Sequence, residues 1–246
     1  MIQWQIGCSG FYYPEWKSLF YPESLSQRKW FEFYTNHFNT VELNVTFYRF
    51  PKLEFFQSWY QRSPDNFTFS IKAPRVITHY KRFIEAELLL GDFYTSVHEG
   101  LREKVNSILF QFPPSFIFEP EALDRIVKLL DKSFHNVLEF RHPSWWQERV
   151  YKTLEENSIT FCGMSHPTLP KEIVRTANSV YYRFHGVPKL YHSLYGVDEL
   201  QQVADAISSL PTITHAYLYF NNTANGAAIM NANQAQEYCN HLMIDK

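Results

Sequence analysis

Apolar positions along the chain switch repeatedly between two periods. Short runs rich in aromatic and β-branched residues alternate with longer stretches whose apolar positions recur every three or four residues. The first kind reads as strands, expected at 3–8, 38–44, 67–72, 105–111, 136–141, 159–164, 180–185 and 215–220. The second kind reads as helices, expected at 27–37, after Pro51, at 85–102, at 144–156 and at 226–242. Two more helices are marked by Ala122, Leu123, Ile126, Val127 and Leu130, and by Leu200, Val203, Ala204, Ile207 and Leu210. A long loop full of turn formers follows the sixth strand, and Pro113-Pro114 forbids continuing the fourth. Repeated strand–helix alternation implies parallel strands, and this length suits one closed, TIM-barrel-like (β/α)8 domain over residues 1–246. An open doubly wound sheet is the competing architecture. It would carry a glycine-rich phosphate turn after strand one, and Gly7-Cys8-Ser9-Gly10 lacks that spacing.

The strands finish on side chains capable of chemistry. Side chains alternate faces along a strand, so Glu42 shares a face with Asn44, Glu139 with Arg141, and Arg183 with His185. The intervening Leu43, Phe140 and Phe184 would then face the helices. In a barrel the polar set points inward at the C-terminal mouth, where barrel enzymes place their chemistry. Glu42, Lys72, Glu139 and His185 are the catalytic candidates. Asn44, His79, Gln111, Arg141, His142, Trp145, Arg183, Asn221 and Asn222 are the substrate-contacting ones. The plain alternative is that Glu139 with Arg141, or Glu42 with Lys72, are ion pairs closing the top of the core.

Composition narrows the partners. A net charge of -2 gives no global attraction to polyanions, so any anion site must be local. The three cysteines, Cys8, Cys162 and Cys239, are far apart with no CxxC spacing, which favours a reducing compartment. The first residues contain no basic leader and no segment long enough to span a bilayer, so a cytoplasmic protein without membrane association is expected.

Several motifs resemble the DUF72, or YecE-like, family. They are Ile-Gly-Cys-Ser-Gly-Phe-Tyr-Tyr-Pro-Glu-Trp at 6–16, Phe-Asn-Thr-Val-Glu-Leu-Asn-Val-Thr-Phe-Tyr-Arg at 38–49, Lys72 with Ile77-Thr78-His79, and Gln111-Phe112-Pro113-Pro114. Glu139-Phe140-Arg141-His142-Pro143-Ser144-Trp145, Arg183-Phe184-His185-Gly186 and Tyr219-Phe220-Asn221-Asn222-Thr223-Ala224-Asn225-Gly226 complete the series. The resemblance covers nearly the whole chain and implies a TIM-barrel-like fold, but no settled activity. One departure is Cys162-Gly163-Met164-Ser165, which lacks the acidic residue common near the end of the family's sixth strand.

The mouth leans cationic, with Lys72, Arg141 and Arg183 facing only Glu42 and Glu139. Arg suits bidentate recognition of phosphate or carboxylate. Lys72 reads as a counter-ion to Glu42 or Glu139 in preference to a Schiff-base lysine, because carboxylates would keep it protonated. Cys8 reads as a small buried residue before a nucleophile. The rings of Phe11, Tyr12, Tyr13, Trp16, Trp145 and Trp146 could stack on a sugar or base, or simply plug the barrel. Gly226 would let helix amides approach an anion, with ordinary capping by Thr223 or Asn225 as the equal alternative. No aspartate ends a strand and three cations would repel a divalent ion, so neither a metal nor a cofactor is assigned. The leading expectation is an enzyme using acid/base chemistry on a small anionic, phosphorylated or sugar-like substrate. Arg141 and Arg183 would clamp the anion, Glu42 or Glu139 would act as base and His185 as acid. The alternatives are a nucleic-acid binder using Lys72, Arg75, Lys81 and Arg82, and a catalytically silent scaffold barrel.

Overall fold

In the computed structural model, which describes residues 1–244, eight parallel strands form one sheet. They are β1 (Gln3–Cys8), β2 (Thr40–Leu43), β3 (Thr68–Lys72), β4 (Val105–Gln111), β5 (Asn136–Glu139), β6 (Thr160–Ser165), β7 (Ser179–Phe184) and β8 (His215–Phe220). Their spatial order is β1-β8-β7-β6-β5-β4-β3-β2. A single parallel bridge between Ser9 and Glu42 joins the two ends and closes the barrel. Close approach at this seam depends on Gly7. A Cβ there would lie 2.3 Å from the Thr40 carbonyl oxygen and 3.0 Å from the Tyr34 hydroxyl.

The helices are α1 (Trp30–Thr35), α2 (Val45–Tyr48), α3 (Leu53–Arg62), α4 (Glu87–Leu101), α5 (Pro120–Leu129), α6 (Glu148–Glu156), α7 (Val197–Ser208) and α8 (Ala227–Ile244). Two expected helices are shorter and are preceded by separate 3-10 turns, at Gln27–Lys29 and at Pro143–Trp145. The connection after β6 is the long loop that its turn formers indicate. Among the described residues no helix joins β6 to β7, where Pro167 and Pro170 remove backbone donors. Thr176 on this connection fastens itself to the rim of β6 instead. Its hydroxyl accepts from Phe161 N at 2.8 Å and donates to Ile159 O at 2.7 Å.

Alternation along the strands sorts the core into two apolar clusters. Ile6, Val41, Leu43, Phe69, Phe110, Phe140, Phe184 and Phe220 pack outward beneath the helices. Leu109, Val137, Cys162, Tyr181, Tyr217 and Tyr219 form a second cluster inside the bore. Toward the N-terminal end the bore is polar. A register shift between β3 and β4 accompanies the Asn106 amide standing 3.0 Å from each of the Thr40, Thr68 and Tyr219 hydroxyls. His135 Nε2 lies 2.8 Å from both the Thr160 and Ser179 hydroxyls.

Candidate functional site

The inward-facing residues nearest the C-terminal ends of the strands form a continuous network. Arg183 lies at its centre, fully buried. Its Nη2 donates to Glu42 Oε1 and its Nη1 to Glu139 Oε2, both at 2.6 Å. The other oxygen of each carboxylate is also taken. The Tyr181 hydroxyl donates to Glu42 Oε2 at 2.6 Å, and Arg141 Nε donates to Glu139 Oε1. Asn44 adds a 3.2 Å contact from Nδ2 to Glu42 Oε1. Ser70 stands 2.7 Å from the Tyr181 hydroxyl, whose proton is committed to Glu42, so Ser70 donates to it.

Burial alone would raise the Glu139 carboxyl, but the charges of Arg141, Arg183 and Lys72 outweigh it and hold the group at about 2. Arg183 is pushed well above its ordinary value, because Glu139 and Glu42 overcome the effect of burial. These facts correct two expectations. Glu139 is too weakly basic to serve as a general base at neutral pH. Arg183 holds two carboxylates with both terminal nitrogens and has no fork left for a substrate anion.

His185 is also reassigned. Burial, followed by the charges of Arg141 and Arg183, pushes its imidazole well below the usual histidine range, so the ring is neutral. Arg141 Nη2 lies 3.0 Å from Nε2 and can only donate, so Nε2 accepts. The ring proton therefore sits on Nδ1, 3.0 Å from the Asn221 amide, which must present its oxygen. With no proton at Nε2, His185 positions Arg141 and does not act as an acid.

Lys72 is the exception among the charged groups. Its Nζ lies 4.0 Å from the centre of the Phe47 ring and makes no hydrogen bond or ion pair among the described residues. The expected pairing with Glu42 or Glu139 is not made: Arg183, Arg141, Tyr181 and Asn44 are the donors those carboxylates face. Burial, then repulsion from Arg183, lowers the amine to about 7 against the opposing pull of Glu139 and Glu42. Lys104, the other buried lysine, is fully engaged: it donates to Tyr60 O, Ser63 O and the Ser63 hydroxyl at 2.9–3.1 Å.

Around these groups the mouth is partly open, with Asn44, Phe47, His79, Gln111, Arg141, His166 and Asn221 half-buried. His79 sits on a π-helical turn, Val76–Tyr80, with its ring 4.9 Å from Phe47. Burial and the Lys72 charge lower it to about 4. Burial and Arg141 lower His166, which the sequence reading passed over, to about 4 as well. Gln111 Nε2 donates to Phe112 O at 2.9 Å. An apolar groove of about 380 Å3 meets the mouth at Asn44 and is lined also by Phe11, Tyr12, Tyr13, Val45 and Trp59. The Asn44 Oδ1 atom is buried without a partner among the described residues. A roomier hollow of about 500 Å3 between α4 and α5 is lined by Tyr94, His98 and Asp131 and lies among the helices, away from the strand ends.

Three further candidates do not belong to the mouth. Trp145 is buried, stacks on the outward-facing Phe140 at 3.9 Å and donates from Nε1 to Phe116 O. His142 Nδ1 accepts from Ser144 N and caps the 3-10 turn. Asn222 faces away from Asn221, donating to Ser193 O and Asn231 Oδ1 at 2.9 Å. Trp16 links the first and last loops by donating to Thr223 O at 2.7 Å, and Thr223 makes no side-chain cap bond. Cys8 is buried toward the helices, and burial pushes its thiol far up. The basic loop separates: Lys72 is inside the barrel, Arg82 bonds Ser115, and Arg75 lies exposed between the rings of Tyr48 and Tyr80. Sequence reasoning missed Tyr181 and Ser70, whose inward parity with Arg183 and Lys72 was the available signal.

The chain has relatives both in sequence and among solved structures. The chain is 28% identical to the UPF0759 protein YunF of Bacillus subtilis, over 94% of this chain and 93% of that one. It is 31% identical to the UPF0759 protein YecE of Escherichia coli K12, over 47% of this chain and 42% of that one. A crystal structure of a DUF72 family protein from Thermotoga maritima superposes with a TM-score of 0.87 at 27% identity, covering 99% of both chains. The family model described as "Protein of unknown function DUF72" matches residues 5–244, and the chain belongs to that family.

Proposed function

We propose that the barrel mouth is the active site of an enzyme that binds a small anionic substrate and moves protons on it. The observation that carries this reading is the division of labour among the cations. Glu42, Glu139, Arg183 and Arg141 form a charge-balanced network, with Arg183 wholly enclosed in it. Lys72 is left outside it without a counter-ion, and Arg141 keeps Nη1 free of any protein partner among the described residues. Two donors of one mouth with unused capacity suit one phosphate or carboxylate better than an extended polyanion. Lys72, with an amine near neutrality, is the proton-transferring group in place of the two carboxylates. The aromatic groove beside Asn44 would take the uncharged part of the substrate. Three buried free cysteines fit a reducing, cytoplasmic setting for this activity. No described helix is long and apolar enough to cross a membrane.

Thermal stabilisation by inorganic phosphate, 3-phosphoglycerate and pyruvate tests the reading. One or more of them should raise the Tm, and Arg141→Lys, which keeps a cation beside Glu139, should diminish the shift. Equal shifts in wild type and variant would remove Arg141 from the site. A second reading, nucleic-acid binding, draws on Arg75 between the exposed rings of Tyr48 and Tyr80. Binding of a short single-stranded oligonucleotide that weakens steeply with salt and is lost in Arg75→Ala would favour it.

A further inference from the structure

Lys72 has the surroundings of a nucleophile as well as those of a proton carrier. A buried ammonium needs partners for its three protons, as Lys104 shows with three acceptors within 3.1 Å. Lys72 has none, although two carboxylates share its chamber. Every oxygen of those carboxylates already accepts from a guanidinium, phenol or amide donor, which orients both groups toward Arg183 and Arg141. The Nζ lies over the face of Phe47, an aromatic surface that leaves the nitrogen lone pair unengaged when the amine is neutral. The nitrogen is not sealed in, since Lys72 retains 8% exposure at the mouth.

We infer that Lys72 forms a Schiff base with small carbonyl compounds bearing a carboxylate or phosphate, and that Arg141 holds the anionic group. This rests on the anion-site reading above and adds a covalent step to it. The neutral Nζ attacks the carbonyl carbon while one amine proton passes to the carbonyl oxygen, giving a carbinolamine. The hydroxyl then leaves as water with a second proton as the C–N bond becomes double. A proton from solvent gives the iminium, which withdraws electrons from the adjacent carbon. Nothing is oxidised or reduced, and water is the only leaving group. An amine near 7 is about half neutral at neutral pH, whereas an ordinary lysine is neutral only about once in a thousand.

Borohydride trapping decides the matter. The full-length protein would be incubated at pH 7 with pyruvate, glyceraldehyde 3-phosphate or uncharged glyceraldehyde, reduced, digested and mapped by mass spectrometry. The expected result is a reduced adduct on Lys72, favoured over surface lysines by at least about tenfold. It should be absent in Lys72→Arg and in Lys72→Met, with both variants checked for folding by circular dichroism. Pyruvate and glyceraldehyde 3-phosphate would show whether carboxylate or phosphate is preferred. If phosphate stabilises the protein through Arg141 yet no adduct maps to Lys72, the Schiff base is refuted and the anion site stands. If glyceraldehyde labels Lys72 as well as its phosphate does, and Arg141→Lys changes nothing, the nucleophile stands and the anion reading fails. Neither stabilisation nor adduct would overturn both.

Discussion

Arg183→Met removes the guanidinium that bridges Glu42 and Glu139 while leaving a side chain of similar length. In the native protein all three groups are essentially without solvent contact and the two bonds are 2.6 Å long. Deleting one partner of a buried ion pair costs about 3–5 kcal/mol, because the remaining charge is uncompensated. Here two carboxylates are affected, but Glu139 retains Arg141, and Glu42 retains Tyr181 and Asn44. The lower part of that range, about 3 kcal/mol, is therefore expected near pH 7.5. For a domain of this size it corresponds to a fall in Tm of roughly 6–12 °C. Urea unfolding at pH 7.5 and at pH 5 gives the free energies. The native Glu139 carboxyl is held at about 2, below its unfolded value, so its contribution is fully present above about 4.5 and is lost as pH falls toward 2. Without Arg183, burial raises the Glu139 carboxyl, and protonation relieves the variant as pH falls. The difference between wild type and variant should therefore narrow from pH 7.5 to pH 5. The double variant Glu42→Gln, Arg183→Met should recover much of the loss, since Glu139 keeps Arg141 and no carboxylate is left without a cation. A deficit below about 1 kcal/mol at pH 7.5, or one that does not change with pH, would refute this account of the network.

Further measurements probe the other groups. Lys72→Met should stabilise the protein by up to about 4 kcal/mol at pH 7, since burial depresses the native amine from its ordinary value to about 7. The native fold holds fewer protons than the unfolded chain between 7 and about 10.5, so that gain should shrink as pH rises through this window. Phosphate affinity should fall as pH rises through about 7, by up to about tenfold per unit, with proton uptake on binding seen by calorimetry in buffers of different ionisation enthalpy. Nitrogen-15 NMR should find His185 neutral with its proton on Nδ1 from pH 8 down to pH 5, and a midpoint near 6.5 would contradict its role. Gly7→Ala should lower stability by about 3 kcal/mol or more, because its Cβ collides with the Thr40 carbonyl at the seam. An unchanged Tm would show that β1 can move aside.

The architecture was readable from sequence because period-two and helical patterns are local. Inward parity likewise carried Glu42, Asn44, Glu139, Arg141, Arg183, His185 and Asn221 to one chamber. Applied strictly, it also excluded Asn222, which is one residue out of phase with Asn221. What no residue pattern carries is which donors are already used. Arg183 looked like an anion clamp and Lys72 like a counter-ion because sequence gives charges without their pairings. Tyr181 and Ser70 were hidden for a related reason: in a strand, Tyr reads as core and Ser as neutral until its partner across the bore is known. The missing helix after β6 was signalled by the prolines of that loop, but Thr176 fastening it to the strand is a long-range contact.

The hydrogen-bonded lower bore has a consequence for how the barrel finds its shear. An oily interior accepts a strand slipped by two residues, since one aliphatic side chain replaces another at little penalty. Here Asn106 must meet Thr40, Thr68 and Tyr219 together, and His135 must meet Thr160 and Ser179. A two-residue slip of β4 or β5 would strand these amides and hydroxyls opposite apolar neighbours, leaving several buried polar groups unsatisfied. The polar plug thus acts as a combination lock, and the stagger it sets is the one in which Arg183 reaches both Glu42 and Glu139 at the other end.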